Sequence, residues 1–165
     1  SVALPPRHRA VDDAFDYQAI AAIVDRVVVM AYDEHWSGSE PGSVASLEWC
    51  AKVALYARET IPSGKLVMGL PFYGRAWASL NPAKAYKHSS VRNLIEEKGI
   101  SDIGRDNGIP FFTYREVVDV QVYYEDALSV RSRLELYDGM KITKVGFWRL
   151  GLSDAEAWKN LTIAK

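Results

Sequence analysis

The chain has 165 residues and a formal net charge of -1, with basic and acidic residues interspersed along it. Its length is typical of one domain, and nearly half of the residues are apolar, so a hydrophobic core can form. No basic patch is present, which disfavours a nucleic-acid partner, and no apolar run reaches the roughly 18 residues that span a membrane. The single cysteine, Cys50, excludes an internal disulfide and is predicted to be a small core residue.

Apolar periodicity predicts alternating strands and helices in the first half of the chain. Residues 2–4 form a short strand that two prolines end, and an apolar stripe with helical spacing begins at Tyr17, behind Asp16 as N-cap. The continuously apolar run 27–31 is typical of a strand covered on both faces. A loop rich in glycine, serine and proline then leads to a helix predicted at residues 44–60.

The second half repeats this rhythm. KLVMGLPFY at 65–73 and KVGFW at 144–148 predict two more buried strands. A helix is predicted at residues 126–137, ending at Gly139, and residues 153–156 have the spacing of a capping box that opens a last helix. Four strand–helix units of this kind favour a parallel sheet.

The segment from 74 to 124 interrupts the pattern. It contains a predicted short helix at 91–98, stopped by Gly99. Residues 118–124 alternate between valines and polar side chains, which predicts a strand paired with PFFTY at 110–114 in a small antiparallel sheet. The valine face of this strand is expected to be core rather than binding surface.

Polar and aromatic side chains follow three of the predicted strands, at the point where each strand ends. Parallel sheets carry their chemistry at the carboxyl ends of their strands. The side chains concerned are Tyr32 and Asp33, Tyr73 and Arg75, and Trp148 and Arg149. Their recurrence at three strand ends predicts one shared site at this edge of the sheet.

Three motifs in this order resemble the C-terminal half of family 18 glycoside hydrolases, the chitinases and their relatives. They are MAYD, followed by the glycine-rich loop, then GLPFYGRAW and GFWRLG, at residues 30–33, 69–77 and 146–151. The resemblance runs from about residue 1 to residue 161. The sequences of residues 32–49 and 147–158 are more similar to the bacterial branch that trims cell-wall or spore-cortex peptidoglycan than to digestive chitinases.

The resemblance implies an α/β fold, the C-terminal half of a β/α TIM barrel. The chain would supply strands five to eight, with a small α+β insertion after the seventh strand. Residues 1–74 and 125–165 would form the half-barrel units, and residues 75–124 the insertion subdomain.

The resemblance also implies substrate-assisted retaining hydrolysis at N-acetylglucosamine in chitin or peptidoglycan. The family is an exception to the scheme with two catalytic carboxylates, because the 2-acetamido oxygen of the sugar attacks the anomeric carbon. Tyr32 matches the tyrosine that steadies the acetamido carbonyl, and Asp33 matches the neighbouring aspartate that orients the sugar. These two are the catalytic candidates.

Further positions match the substrate-binding residues of the family. Met30 would line the floor of the site, and Trp148 would lie under the sugar ring at the cleavage subsite. Tyr73 and Arg75 match positions on the rim. For Trp36, two interpretations stay open, since its indole either lines the groove or folds back under the loop.

The general acid of the family is a glutamate in a D-x-x-D-x-D-x-E run, and no such run exists here. The resemblance places Ser1 just after that motif, so truncation explains the missing carboxylate better than loss. Glu34, Glu125 and Asp126 are poor substitutes, because the first is expected in the loop and the others open a helix. His35 is expected to bond the loop or lie at the surface, with a sugar contact as the alternative. Trp49 and Trp158 are expected in the core.

Three hypotheses follow. The chain is a fragment of a secreted hydrolase that acts outside the cell, at the cell wall or the spore envelope, and it is inactive alone. Alternatively, it is a lectin-like module that binds amino sugars without cleaving them. Third, strands 2–4 and 144–148 are exposed edges that recruit a second copy into a homodimer. The expected partner is an N-acetylglucosamine polysaccharide, with no nucleic acid, membrane, metal or organic cofactor.

Overall fold

The computed structural model describes residues 1–78, 87–106, 109–153 and 155–161. The chain divides into two compact units. The larger comprises Ser1–Trp77 and Gln121–Lys165, and the smaller comprises Ala78–Val120. In chain order the elements are β1 (Val2–Leu4), α1 (Tyr17–Ile23), β2 (Val27–Val29), α2 (Leu47–Thr60), β3 (Leu66–Pro71), β4 (Arg75–Ala78), α3 (His88–Glu97), β5 (Gly104–Asp106), β6 (Ile109–Phe111), β7 (Val120–Tyr123), α4 (Ala127–Gly139), β8 (Val145–Trp148) and a 3-10 helix (Ala155–Asn160).

The larger unit is built on a four-stranded sheet in the order β1-β2-β3-β8. All three pairings are parallel, with Val27 opposite Val2 on one side and Leu66 on the other, and Met68 opposite Val145. The predicted parallel sheet is therefore confirmed, and all four predicted strands are present. The predicted burial is wrong for β8, which is half-buried and ends in the exposed Trp148. Among the described residues, β1 and β8 pair on one side only, as predicted for the two edges.

One face of the sheet is buried against the helices. Alternate residues of β2 and β3 point to the same side, and the side chains of Val29, Met68 and Leu70 are completely buried. Helix α2 covers them with small apolar residues, and α1 and α4 complete the layer, including the following buried residues: Cys50, Val53, Ala54, Ala57, Tyr17, Ala21, Val130 and Tyr137. The prediction that Cys50 is a core residue is confirmed, and burial raises the pKa of its thiol to about 11.

Helix ends follow the expected capping chemistry. The Asp16 side chain accepts hydrogen bonds from the first turn of α1, as predicted. Helix α2 begins three residues later than predicted, since Ser46 is its N-cap and Ser disfavours a helix interior. Gly99 follows α3 with a φ of 60°, which confirms the predicted stop.

Strand β2 is shorter than predicted. The amides of Ala31 and Tyr32 bond back to the carbonyls of Val29 and Met30, at 2.9 and 2.7 Å. The backbone therefore turns away from the sheet two residues before the apolar run ends.

The predicted pairing of residues 118–124 with residues 110–114 is wrong. Strand β7 pairs with β4, and β6 pairs with β5 in a separate antiparallel hairpin. The side chains of β7 are exposed, including its two valines, so the expectation of a valine core is wrong as well. Period-two alternation predicts a strand with two different faces and identifies neither its partner nor what covers it.

Two predictions for the C-terminal end also change. The last helix is a 3-10 helix, and Asp154 of the predicted capping box lies outside the described residues. Trp158 contacts the rings of Phe72 and Phe147 but remains 40% exposed, so it is not a core residue. Trp49 is half-buried and packs against the core as expected. In the described part of the chain, no helix has the length and apolarity that crossing a membrane requires.

The buried face of β3 should control stability. We expect Leu70→Ala to lower the free energy of unfolding by about 3 kcal/mol, because it removes buried methyl groups and leaves a cavity. Leu55 of α2 is 44% exposed, so Leu55→Ala should lower the free energy of unfolding by less than about 1 kcal/mol. Urea unfolding measures both, and equal losses would contradict the assignment of the core face.

Candidate functional site

The polar residues predicted at the strand ends do lie at the carboxyl edge of the sheet. Tyr32 and Asp33 follow β2, Tyr73 and Arg75 follow the last residue of β3, and Trp148 ends β8. Asp33 has a φ of 62°, a left-handed conformation that few residues other than glycine adopt. Such backbone is held in place only when its surroundings over-determine it, and functional sites are where it concentrates.

Asp33 is the centre of the strongest polar cluster at this edge. Its Oδ1 accepts a hydrogen bond from the Tyr73 hydroxyl at 2.6 Å and from Arg75 Nη2 and Nε at 2.6 and 3.2 Å. The Arg75 guanidinium also lies over the Tyr73 ring, 5.5 Å from its centroid. The other carboxylate oxygen, Oδ2, accepts no hydrogen bond from the described residues. The arrangement therefore orients the carboxylate through one of its two oxygens.

Tyr32 packs beside this cluster. Its ring meets that of Tyr73 edge to face at 6.1 Å between centroids. Gly69 of β3 makes room for it, because a Cβ at that position would lie 3.1 Å from the Tyr32 ring. The missing side chain at Gly69 therefore allows the Tyr32 ring to approach β3 closely.

Burial and the Asp33 charge favour the protonated form of both phenols. Burial raises the pKa of Tyr32, and the nearby Asp33 charge adds to the shift. The pKa of Tyr73 lies well above its ordinary value, first because of burial and second because of its hydrogen bond to Asp33. Each hydroxyl is therefore a hydrogen-bond donor over the whole physiological range.

The loop after Asp33 is tied to helix α2. The Glu34 carboxylate accepts hydrogen bonds from the amide and hydroxyl of Ser46 at 2.6 and 2.9 Å. His35 Nδ1 lies 2.8 Å from the Ser43 carbonyl oxygen, and its ring packs on Gly42. The expected loop-bonding role of His35 is confirmed.

The three carboxylates weighed as substitute acids all serve the structure. Glu34 holds Ser46, and Asp126 caps α4 through the Ser129 amide at 2.8 Å. Glu125 forms a buried ion pair with Arg133. None of the three is offered to a ligand as a free acid. Among the described residues, no three side chains of His, Cys, Asp or Glu come together as metal ligands.

Trp36 begins an aromatic patch that sequence reasoning did not connect. Its indole is 54% exposed and packs over Gly38, and its carbonyl oxygen accepts a hydrogen bond from Trp77 Nε1 at 3.3 Å. Trp77 in turn meets the Tyr123 ring edge to face at 6.0 Å. The ring folds over the loop, as one interpretation of Trp36 expects, and its role in lining a groove stays a prediction.

Met30 and Trp148 lie on the face of the sheet opposite the helices. Met30 is half-buried between two fully buried neighbours in sequence, Val29 and Ala31, so its side chain points to the other side. Trp148 lies opposite Pro71 in β3 and is 56% exposed. Within the described residues, it makes no ring contact with Tyr32 or Tyr73. An exposed indole of this kind offers a flat apolar surface to a ligand.

Two groups that hold the site were missed. Gly69 lies inside a strand, and an interior strand glycine is a signal of close approach that was available in the sequence. Glu34 was assigned only to the loop, and its bond to Ser46 spans 12 residues that no local pattern links.

Comparison with known proteins gives this site a family context. A family model described as Glycosyl hydrolases family 18 matches residues 1–152. The cortical fragment-lytic enzyme of Bacillus subtilis (strain 168) is 30% identical over 171 residues, covering 96% of this chain and 40% of that protein. Probable chitinase 10 of Drosophila melanogaster is 24% identical over 187 residues, covering 93% of this chain and 8% of that protein.

Solved structures share the fold. The Bacillus cereus spore cortex-lytic enzyme SleL superposes with a TM-score of 0.70 at 29% identity, over 96% of this chain and 40% of that one. The C-terminal domain of a putative chitinase from Desulfitobacterium hafniense DCB-2 gives a TM-score of 0.67 at 28% identity, over 96% and 51%. These matches confirm the resemblance drawn from the three motifs and imply a TIM-barrel-like fold. The chain spans 40% of the length of the curated Bacillus subtilis relative.

The Asp33 cluster predicts an unusual tyrosine titration. We expect Asp33→Asn to lower the pKa of Tyr73, because the tyrosinate would no longer face a carboxylate, while burial would keep part of the shift. NMR of protein labelled with carbon-13 at the tyrosine ring follows each phenol separately. Asp138→Asn on α4 removes the same charge elsewhere and should leave Tyr73 unchanged.

The raised pKa of Tyr73 also makes the stability of the fold depend on pH. A folded-state pKa above the unfolded value of about 10 means that Tyr73 contributes stability below that pH, which is lost as pH rises further. In Asp33→Asn the loss should begin at the same pH, because the unfolded value is unchanged, but it should be smaller and end at lower pH. An unchanged Tyr73 titration in this variant would contradict the hydrogen bond.

Proposed function

Because this chain belongs to glycosyl hydrolase family 18, we propose that it forms the acetamide-binding side of a glycosidase that cleaves β-1,4 bonds at N-acetylglucosamine. The observation that carries the proposal is the Asp33 carboxylate, held by Tyr73 and Arg75 beside the Tyr32 ring. Phenol donors, a fixed carboxylate oxygen and an exposed indole suit an uncharged, amide-bearing sugar.

The reaction is substrate-assisted. The acetamido oxygen of the bound sugar forms a bond to the anomeric carbon as the bond to the leaving oxygen breaks, and the leaving oxygen takes a proton from a general acid. Water then opens the resulting oxazolinium-type ring with retention of configuration. Tyr32, kept protonated by burial, donates a hydrogen bond to the acetamido carbonyl, and Asp33 orients the amide.

The remaining contacts bind the sugar. Trp148 lies under the pyranose ring, Met30 lines the floor, and Tyr73 and Arg75 hold Asp33 from the rim. Trp36 extends the apolar surface towards a neighbouring sugar, since half of its indole is exposed. No step in this scheme uses a metal or an organic cofactor.

The general acid lies outside these 165 residues in this proposal. The sequence has no D-x-x-D-x-D-x-E run. The structural roles of Glu34, Glu125 and Asp126 argue against a substitute. The chain alone would then bind its substrate and leave the glycosidic bond intact.

The sheet fits strands five to eight of a TIM barrel. Its four strands are parallel, and the unit Ala78–Val120 follows the third of them, where the family carries its insertion. We assign residues 75–124 to that insertion. In the complete barrel, β1 and β8 would each meet a further strand, whereas a second copy of the chain would cover the same edges in a homodimer.

The substrate class follows from the relatives. One is named a cortical fragment-lytic enzyme and another a probable chitinase, and chitin and peptidoglycan share the N-acetylglucosamine unit. We place the substrate in one of these two polymers, and the protein accordingly outside the cell, at the wall or the spore envelope.

A second candidate is a non-catalytic amino-sugar-binding module. The observation that favours it is the absence of a free carboxylic acid among Glu34, Glu125 and Asp126. The two candidates share one binding site and differ only in bond cleavage, so binding and turnover are measured separately.

Binding should depend on the two residues that face the sugar. We expect Trp148→Ala and Tyr32→Phe each to weaken the affinity for tri-N-acetylchitotriose about tenfold, because each removes a stacking surface or a hydrogen bond. Isothermal titration calorimetry measures the affinities. Leu150→Ala and Tyr56→Phe are the matched controls, one exposed apolar neighbour and one phenol on α2, and both should bind normally. Absence of binding by the unaltered chain would refute the site.

Turnover should separate the two candidates. We expect the 165-residue chain to release no chromophore from a chromogenic N-acetylglucosamine oligomer. The same residues, expressed within a protein that also contains the D-x-x-D-x-D-x-E run, should release it. Hydrolysis by the chain alone would place the general acid within the chain. If neither protein hydrolyses the oligomer, the binding module is favoured.

A further inference from the structure

A buried ion pair lies behind the site rather than in it. Arg133 of α4 is 3% exposed and pairs with Glu125, whose side chain is 8% exposed. Glu125 Oε2 also accepts a hydrogen bond from the Ser129 hydroxyl at 2.6 Å. Among the described residues, Arg133 is the single charged residue that is fully buried. Burying an ion pair costs desolvation, so the pair is weak evidence of stability and invites another explanation.

The Arg133 guanidinium also binds a backbone carbonyl 88 positions earlier in the chain. Arg133 Nη1 donates a hydrogen bond to the carbonyl oxygen of Ala45 at 2.7 Å. That carbonyl lies in the segment before α2, and Ala45 itself is 1% exposed. Arg133 Nε finds no hydrogen-bond partner among the described residues. The two terminal nitrogens of Arg133 therefore bind Ala45 and Glu125, and Nε is left without a partner.

The segment that Arg133 holds is the one that holds Glu34. Ser46, next to Ala45, gives its amide and hydroxyl to the Glu34 carboxylate. The Glu34 amide in turn donates to the Val44 carbonyl oxygen at 2.8 Å. Ala45 and Ser46 are adjacent, as are Asp33 and Glu34, so these hydrogen bonds and two steps along the chain connect α4 to the residue with the left-handed backbone.

We propose that Arg133 and Glu125 are positioning residues that hold the loop 34–46, and through Glu34 the Asp33 carboxylate, in place for the ligand. The proposal deepens the proposed function, on which its saccharide consequence rests. The ion pair touches no ligand itself. It acts because the Ala45 carbonyl has one buried donor, and loss of that donor frees the loop while the sheet stays intact.

The decisive variant removes the donor without leaving a buried charge. In Glu125→Gln/Arg133→Met, no unpaired ion remains in the core, so the sheet and helices should persist. Arg133→Met alone is the harsher companion, since it leaves Glu125 buried without its partner. Arg58→Met is the matched control, because Arg58 Nη1 also links α2 to α4 by donating to the Met140 carbonyl, at 3.2 Å, away from the Asp33 loop.

Hydrogen exchange of the 165-residue chain measures the loop directly. We expect amide exchange in peptides covering residues 32–46 to accelerate about tenfold in the double variant, while peptides covering β3 keep their wild-type rates. Arg58→Met should leave the loop unchanged. Equal loop exchange in the double variant and the wild type would overturn the proposal. So would acceleration spread evenly over the sheet, which would indicate general destabilisation.

The saccharide measurement tests the consequence. With Tyr32 and Trp148 intact, the affinity of the double variant for tri-N-acetylchitotriose should fall about tenfold. Faster loop exchange with unchanged affinity would overturn the positioning role. Failure of the wild type to bind any N-acetylglucosamine oligomer would refute the proposed function instead, and the exchange experiment would still decide whether Arg133 holds the loop.

Discussion

One-sided burial of the parallel sheet is the constraint on which the site depends. Val29, Met68 and Leu70 are completely buried against the helices, and strand geometry then sends their neighbours to the opposite face. Met30 and Gly69 occupy that face because they alternate with core residues. A register slip by one residue would exchange the two sets and remove both core and site together. The same hydrophobic pattern therefore specifies the fold and determines which residues lie on the face opposite the core.

The polar groups at the edge are held by different means from the core. The Asp33–Arg75 pair is partly exposed, and exposed pairs contribute little to stability. Its orientation comes instead from the backbone of Asp33 and from the bonds that tie the next residue to α2. The buried Glu125–Arg133 pair adds a link on the far side of that helix. In the proposed arrangement, the groups that hold the Asp33 loop in place are ones that do not contact the ligand.

Much of the fold was predictable, because long apolar runs and helical stripes survive any tertiary context. The four parallel strands, the cap at Asp16 and the stop at Gly99 were all predicted. The ends of the strands were less so, since the turn after Val29 depends on backbone bonds that hydropathy does not encode. The partner of β7 was mispredicted for a related reason. A strand exposed on both sides has no buried face to specify its register.

The residues that form the cluster at the strand ends could be predicted from the sequence, but the hydrogen bonds between them could not. Parallel topology brings Asp33 and Arg75 to one edge, and the hydrogen bonds between them follow from side-chain geometry that sequence leaves free. Arg133 gave no sequence signal, because an arginine on a helix normally reaches solvent. Its partner carbonyl belongs to Ala45, 88 positions earlier in the chain, a contact that no local pattern indicates.

The backbone of Asp33 limits the amino acids that this position accepts before any chemistry is considered. Left-handed φ costs most residues about 1–2 kcal/mol, and aspartate and asparagine are exceptions because their short side chains bond locally. The described side-chain bonds of Asp33 instead join it to Tyr73 and Arg75, which a longer carboxylate would reach from a different position, and a β-branched residue would be a strong outlier. Position 33 is therefore restricted by the main chain and, in the proposed function, by the ligand as well. A charged and an uncharged version of the site are consequently one substitution apart in sequence space, on the same backbone.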